Sequence, residues 1–500
     1  MEFVDHLILG FSTALSAINL FYCLLGVLLG TLMGVLPGIG PVAGISMLLP
    51  ITFTMPTTGA LIMLAGIYYG NMFGGSTTSI MMNVPGDAAS VVTCFDGYEM
   101  ARQGKAGPAL SIAALGSLFA GCVGTLLLAL FAPPLAEIAF KFRSPEYFAL
   151  MTLGLLMASL LGQGSPLKSI GMLLVGLLVG CVGTDVNSGL PRFTFGLNRL
   201  LDGIEFGVLA MGMFAVGSII VDLQSPGQCE IIAGKVGRLM PNREEFKQSW
   251  KAVLRGTLVG GLFGIMPGIG PVISSFAAYS VEKRLAKDPS RFGKGAIEGV
   301  ASPESANNMA AQCSFIPTLT LGIPGSATMA LLLGALIMQG IAPGPQVIVK
   351  YPELFWGLVA SMWIGNVLLV VLNLPLIAVW IRLLTVPYRW LCPAIILVCC
   401  IGTFSMNTSV FDVVIMALFG ILAFLFIKLD CSLAPLLLGF LLGPMVEEHL
   451  RRSLMLSRGD FSIFINRPIC FVTLLLTAGL LLYSLITAFW GKKSKQAQGA

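Results

Sequence analysis

The chain has 500 residues, of which 56% are hydrophobic and only 11% charged, with a net charge of +5 and a mean hydropathy of +0.90. Soluble domains carry about 25% charged residues, so these values exclude an ordinary soluble enzyme and define an integral membrane protein. The apolar runs are long and continuous, not alternating, which excludes a β-barrel and leaves an all-α polytopic fold.

The first residues, MEFVDHLILGF, offer neither a basic leader nor a small-residue cleavage site, so no cleavable signal peptide is expected. Residues 1–18 read as an amphipathic leading segment. After Asp5 the next acidic or basic side chain is Asp87, and at about 20 helical residues per crossing this stretch makes several passes. Segment 19–36 runs into Pro37-Gly38-Ile39-Gly40-Pro41 and resumes over 42–55. A second apolar segment, 59–83, ends at the turn signal Asn83-Val84-Pro85-Gly86-Asp87. A polar link with Asp96, Glu99, Arg102 and Lys105 follows, then spans near 108–132, 146–163, 166–183 and 204–222. Residues 223–252 form a basic connector, placed in the cytoplasm because basic loops stay inside.

The second half restarts the pattern. Residues 256–272 match residues 26–42 at 11 of 17 positions without a gap. Gly26, Gly30 and Gly34 recur as Gly256, Gly260 and Gly264, and the break recurs as Pro267-Gly268-Ile269-Gly270-Pro271. A glycine at every fourth position lets helices approach closely in lipid. The Pro-Gly run cannot stay helical. The uncharged piece between Arg255 and Glu282 is either one broken span or a re-entrant hairpin, and basic residues at both ends lean toward the hairpin. Gly322-Ile323-Pro324-Gly325-Ser326 echoes Asn83–Asp87. Later spans fit 327–341, 354–381, 391–405, 411–428, 431–446 and 469–490, before a polar tail. The expected organisation is an N-terminal membrane repeat (1–222), the connector (223–252), a C-terminal repeat (253–490) and the tail (491–500), with about twelve crossings in two inverted-type halves.

Interrupted segments at matching places in two halves are the sequence pointer to a transporter's binding site. A half-helix start presents N–H groups to an anion, and freed carbonyls suit a cation. The expected substrate-binding residues are therefore Pro37, Gly38, Gly40, Pro267, Gly268 and Gly270, joined by Gly75, Ser76, Thr77 and Thr78, whose glycine and hydroxyls bring polar groups into an apolar run, and by Asn307 and Asn308. The bland reading of the breaks is a packing kink, and that of the hydroxyls is a bond to their own helix. Asn71, Asn83, Glu304, Ser305 and Thr320 are the expected ion-binding residues. Glu304 is the only acidic or basic side chain between Glu298 and Lys350, and an ionisable group at membrane depth is costly and usually functional. If 300–308 lies at the interface, Glu304 is merely solvated.

Enzyme readings find no support. There is no Walker motif, no G-x-S-x-G elbow, and the two histidines, His6 and His449, are too far apart for a zinc helix. Eleven cysteines include no C-x-x-C pair and read as small packing residues, with no cofactor or structural metal expected.

The chain also resembles the large membrane subunit of the tripartite tricarboxylate transporters over about residues 3 to 490. The likeness rests on Gly34–Pro41, Ala65–Gly70 with Gly74–Thr78, Asp96-Gly97-Tyr98, Lys294–Ala301, Pro303–Asn308 and Leu321–Gly325. It departs at Ile269-Gly270-Pro271, where a glycine-richer run is usual, and at Gly86-Asp87, where many relatives carry Gly-Glu. The resemblance implies a bacterial inner-membrane subunit that works with a small membrane subunit and a periplasmic solute-binding protein. It implies import of a citrate-like carboxylate on a Na⁺ or H⁺ gradient. A carboxylate channel and a non-transporting scaffold are the rival readings.

Overall fold

In the computed structural model the described residues are 2–36, 40–160, 165–185, 188–224, 238–266, 270–383 and 388–497. The fold is all-α. The first half comprises α1 (Glu2–Ala14), α2 (Ala17–Val35), α3 (Pro41–Leu48, continued by a 3-10 turn, Leu49–Thr54), α4 (Thr57–Met82), a 3-10 turn (Ala88–Ser90) leading into α5 (Val91–Arg102), α6 (Ala106–Ala139), α7 (Ser144–Leu160), α8 (Pro166–Gly180), a two-stranded ribbon, and α9 (Phe206–Ala210), joined by a π-turn to α10 (Gly217–Gln224). The second half comprises α11 (Arg243–Gly264), α12 (Gly270–Leu285), α13 (Glu298–Cys313), α14 (Phe315–Leu321), α15 (Ala327–Met338), α16 (Gln346–Lys350), α17 (Pro352–Asn373), α18 (Ile377–Leu383), α19 (Tyr388–Asn407), α20 (Val410–Lys428), α21 (Ala434–Leu456) and α22 (Pro468–Ala497). Among the described residues, α2, α6, α17 and α20 are long and apolar enough to cross a membrane, and seven shorter apolar helices accompany them.

Two expectations need correction. The polar link after Asp87 is a helix, α5, whose Asp96 is fully buried. The span expected over 354–381 divides into α17 and α18, because Pro375 cannot donate in a continuing helix. α22 runs to Ala497, into the polar tail.

The glycine ridges do what their spacing requires. A Cβ built on Gly26, Gly30 or Gly34 would run into the α4 backbone at Met63, Ile67 or Asn71. One on Gly256, Gly260 or Gly264 would meet α13 at Ser302, Ala306 or Ala310. In lipid, where apolar burial gives helices no net reason to associate, such close approach is the main source of packing energy. The echoed turns also match: Asn83 (φ 56°) and Gly322 (φ 70°), 239 residues apart, each end a helix in the left-handed region.

On either side of the second interruption, α11 and α12 lie against each other. Arg255 of α11 donates from Nε to Glu282 of α12 at 2.8 Å, with a second bond from Nη2. Glu282 is 3% exposed. Beside the first, Gly44 of α3 lies against the Met33 side chain of α2. The helices flanking the second interruption therefore pair as a hairpin, and a single straight span is not what forms there. Removing Arg255 from this part-buried pair leaves the buried Glu282 carboxylate without its partner, at a cost of roughly 1–3 kcal/mol. Arg255→Met should accordingly lower the detergent melting temperature, and Arg255→Met with Glu282→Leu should recover most of the loss.

The halves exchange partners. α4 packs on α17 of the second half as well as on α5 and α6 of its own, and α13 packs chiefly on α6 and also on α5 of the first half. α3 touches α15, and α12 touches the turn before α5. The turn that continues α3, at Pro50 and Leu49, lies beside Gly402 of α19 and Gly207 of α9. The base of the α11–α12 hairpin adjoins Arg238 and Leu239, which lie against Gly107 of α6. Asp185 pairs with Arg192 and Arg451, and Glu447 joins both arginines.

Candidate functional site

Four helical starts converge on one cavity of about 620 Å³. Gly40 and Pro41 begin α3, and Gly270 and Pro271 begin α12. Asp87, Ala88 and Ala89 begin the turn into α5, and Ser326, Ala327 and Thr328 begin α15. The starts of the helices α3, α12 and α15 leave N–H groups without an intrahelical partner and carry about half a positive charge each; the start at Asp87 is a short 3-10 turn. Pro at the first helical positions gives up no hydrogen bond, because those N–H groups are free in any case. Gly270 adopts φ 60°, which a side chain would strain. Tyr68 of α4 completes the wall, its hydroxyl facing those of Ser314 and Ser326 without closing a bond to either. The helix starts bring a positive end potential and several hydroxyls to a cavity whose remaining lining is largely apolar.

One carboxylate offsets that potential. Asp87 caps the turn into α5, where its Oδ1 accepts from the Ser90 N–H at 2.9 Å and the Ser90 hydroxyl accepts from the Asp87 N–H at 3.2 Å. Its counterpart in the second half, Ser326, accepts from Met329 N–H. The chamber is thus chemically asymmetric at equivalent positions.

The expected site residues divide. Gly40 and Gly270 line the chamber. Pro37, Gly38, Pro267 and Gly268 lie outside the described residues. Gly75, Ser76, Thr77 and Thr78 are buried in α4 and do not line it. Thr78 Oγ1 donates to Val35 O at 2.9 Å and reaches Gly34 O at 3.2 Å, so the protein itself satisfies carbonyls that the first break frees. Gly75 lies under the Asp87 turn. Asn307 and Asn308 sit on α13, also away from the chamber.

Of the expected ion-binding residues, Glu304 is buried in α13, not solvated at an interface. It accepts hydrogen bonds from Ser76 of α4 and Thr93 of α5. Among the described residues no Lys or Arg pairs with it. Ser305 and Thr320 donate to carbonyls of their own helices, Ala301 and Ile316. Asn83 is the exposed left-handed cap of α4, and Asn71 is buried in that helix.

Asp96 is a structural latch. Its Oδ1 accepts from the N–H groups of Gly293, Gly295 and Ala296 at 2.9, 2.9 and 2.8 Å, and its Oδ2 from the Tyr279 hydroxyl at 3.0 Å. The carboxylate ties α5 to the loop between α12 and α13.

Sequence reasoning missed Asp87, Ser326, Thr328 and Tyr68 as chamber residues. The readable signal was the echo of one Pro-Gly turn by the other.

Helix starts from both halves that meet at one cavity, in an all-α fold with several long apolar helices, fit a membrane protein of the solute-transporter class. The chain belongs to the tripartite tricarboxylate transporter TctA family, whose profile matches residues 20–438. Two relatives from Agrobacterium vitis are similar along their length. An uncharacterised 52.8 kDa protein in the TAR-I ttuC′ 3′ region is 55% identical over 495 residues, 99% of each chain. An uncharacterised protein in the TAR-II ttuC′ 3′ region is 60% identical over 210 residues, 42% of this chain and 87% of the other. No solved structure matches.

Proposed function

We propose that the chain is the large transmembrane subunit of an ion-gradient-driven, binding-protein-dependent secondary importer of small di- or tricarboxylates in a bacterial inner membrane. The observation that carries this reading is the meeting of four helix starts, two from each half, around one cavity of about 620 Å³. Ligand pockets commonly span roughly 300–1,000 Å³. Substrate carboxylates lie at the N–H groups of α3, α12 and α15, with Ser326, Thr328 and Tyr68 supplying hydroxyls.

The halves are inverted repeats with about twelve crossings. The turn after α3 and the α11–α12 hairpin support this, since the turn adjoins α9 and α19 and the hairpin base adjoins the 238–243 segment. The hairpin base carries Arg243, Lys247 and Lys251 and faces the cytoplasm. The family name speaks of a tripartite system, and a small membrane subunit and a periplasmic solute-binding protein are its other parts.

The test is uptake of labelled citrate and succinate by proteoliposomes holding all three subunits. Accumulation should require an inward Na⁺ or H⁺ gradient, and uptake indifferent to both gradients would refute the coupling. Ser326→Asp makes the second half mimic Asp87 and adds a negative charge to the chamber. It should weaken carboxylate binding at least 100-fold, whereas Ser326→Thr should stay within about fivefold.

A further inference from the structure

We propose that the coupling ion is a proton carried by Glu304, reached by a file of buried water along α13 between α6 and α17. This rests on the transport reading above. Glu304, Asn308 and Gln312 recur at every fourth position, so they share one helix face over about 12 Å. α6 meets that face with small residues. Asn308 Nδ2 donates to Ser117 Oγ at 2.7 Å. A Cβ on Gly124 would come within 2.7 Å of Gln312, and one on Gly121 within 2.5 Å of Asn366 Oδ1, which α17 supplies.

The polar atoms along this seam are not satisfied by protein. Gln312 Oε1 and Nε2, Asn308 Oδ1 and Asn366 Oδ1 have no hydrogen-bond partner among the described residues, and all three residues are 0% exposed. Buried polar groups in this condition are normally met by ordered water. A metal ion would satisfy the amide oxygens but not the Gln312 NH₂, whereas water satisfies both. A space of about 10 Å³ lies beside Ser76, the donor to Glu304; it is lined by Ser76, Thr77, Ser117 and Asn373 and otherwise by apolar side chains, and is enough for about one water.

Glu304 itself has hydroxyl partners and no cation. The titratable groups facing it are the Asp87 carboxylate and the Cys94 thiol. α4 adds only Tyr68 and Tyr69 further along, and α6 presents glycines and hydroxyls on this face. Arg255 of α11 is paired with Glu282, Tyr279 of α12 with Asp96, Glu298 of α13 with Arg291, and α14 has no titratable side chain. An uncompensated carboxylate at membrane depth gains most by taking up a proton. The proton leaves a hydronium ion in the file and bonds to one carboxylate oxygen. The hydroxyl that had donated to that oxygen turns to accept, and release reverses the step.

The experiment uses the three-subunit proteoliposomes with a pH dye inside and labelled citrate as probe. Citrate entry should acidify the lumen, and a pH gradient alone should drive uptake. Glu304→Gln, which mimics the protonated carboxyl, should lose gradient-driven uptake at least tenfold while citrate–citrate exchange falls less than threefold. Gln312→Leu should slow lumen acidification at least tenfold with exchange retained. Exchange without acidification, or Na⁺-driven uptake that survives Glu304→Gln, would overturn the proton assignment alone. Absence of wild-type exchange would overturn the transport reading and this inference with it.

Discussion

Gly30→Val and Gly260→Val should each remove most of the folded protein from the membrane. Both glycines lie where a side chain would strike the backbone of the neighbouring helix, at Ile67 and Ala306. Neither contact can give way as a flexible side chain would. Overpacking typically costs about 1–3 kcal/mol, and against unyielding backbone the upper figure applies, a shift of about a hundredfold in the folded population at about 1.4 kcal/mol per decade. Gly171→Val on α8 is the matched control, because its Cβ would meet open space. The measurement is monodisperse yield in mild detergent for the three variants. Equal yields would show that the ridges are not the close contacts described.

The second large effect concerns the latch at Asp96. Asp96→Ala would strand three backbone N–H groups of the 293–296 loop and the Tyr279 hydroxyl. Loss of a buried carboxylate that satisfies several donors costs about 3–5 kcal/mol. Asp96→Asn keeps an oxygen for the N–H groups and should lose less than half as much. Unfolding monitored by tryptophan fluorescence in increasing dodecyl sulfate would rank wild type, Asn and Ala in that order. A flat series would mean the loop is held by other contacts.

Much of this architecture was legible in the residues. The repeated glycine ridges foretold two close helix pairs, and the repeated Pro-Gly runs foretold two interruptions. The echo between Asn83–Asp87 and Gly322–Ser326 foretold matching turns. What pattern reading could not supply was helix phase. α4 is apolar or small on every face and fully buried from Gly59 to Met82, so periodicity gives no hint that Ser76 points to Glu304 and Thr78 to the end of α2. Asp96 illustrates the opposite failure. A charge in a short polar stretch reads as solvated, but its partners lie about 200 residues away in the chain. Such long-range pairings leave no trace in local spacing. The carbonyls freed at Gly34 and Val35 looked available to a cation, yet a threonine from the adjoining helix occupies them.

The reciprocal packing of α4 on α17 and α13 on α6 bears on how the molecule is built and how it moves. The duplicated unit of sequence is not the unit of structure, because each copy lends its central helices to the other. A chain severed in the connector would yield two pieces that need each other during membrane insertion, and neither would be a minimal transporter. For the same reason, any rigid element that holds the chamber must be stitched from both halves, with its outline drawn across the sequence repeat and not along it.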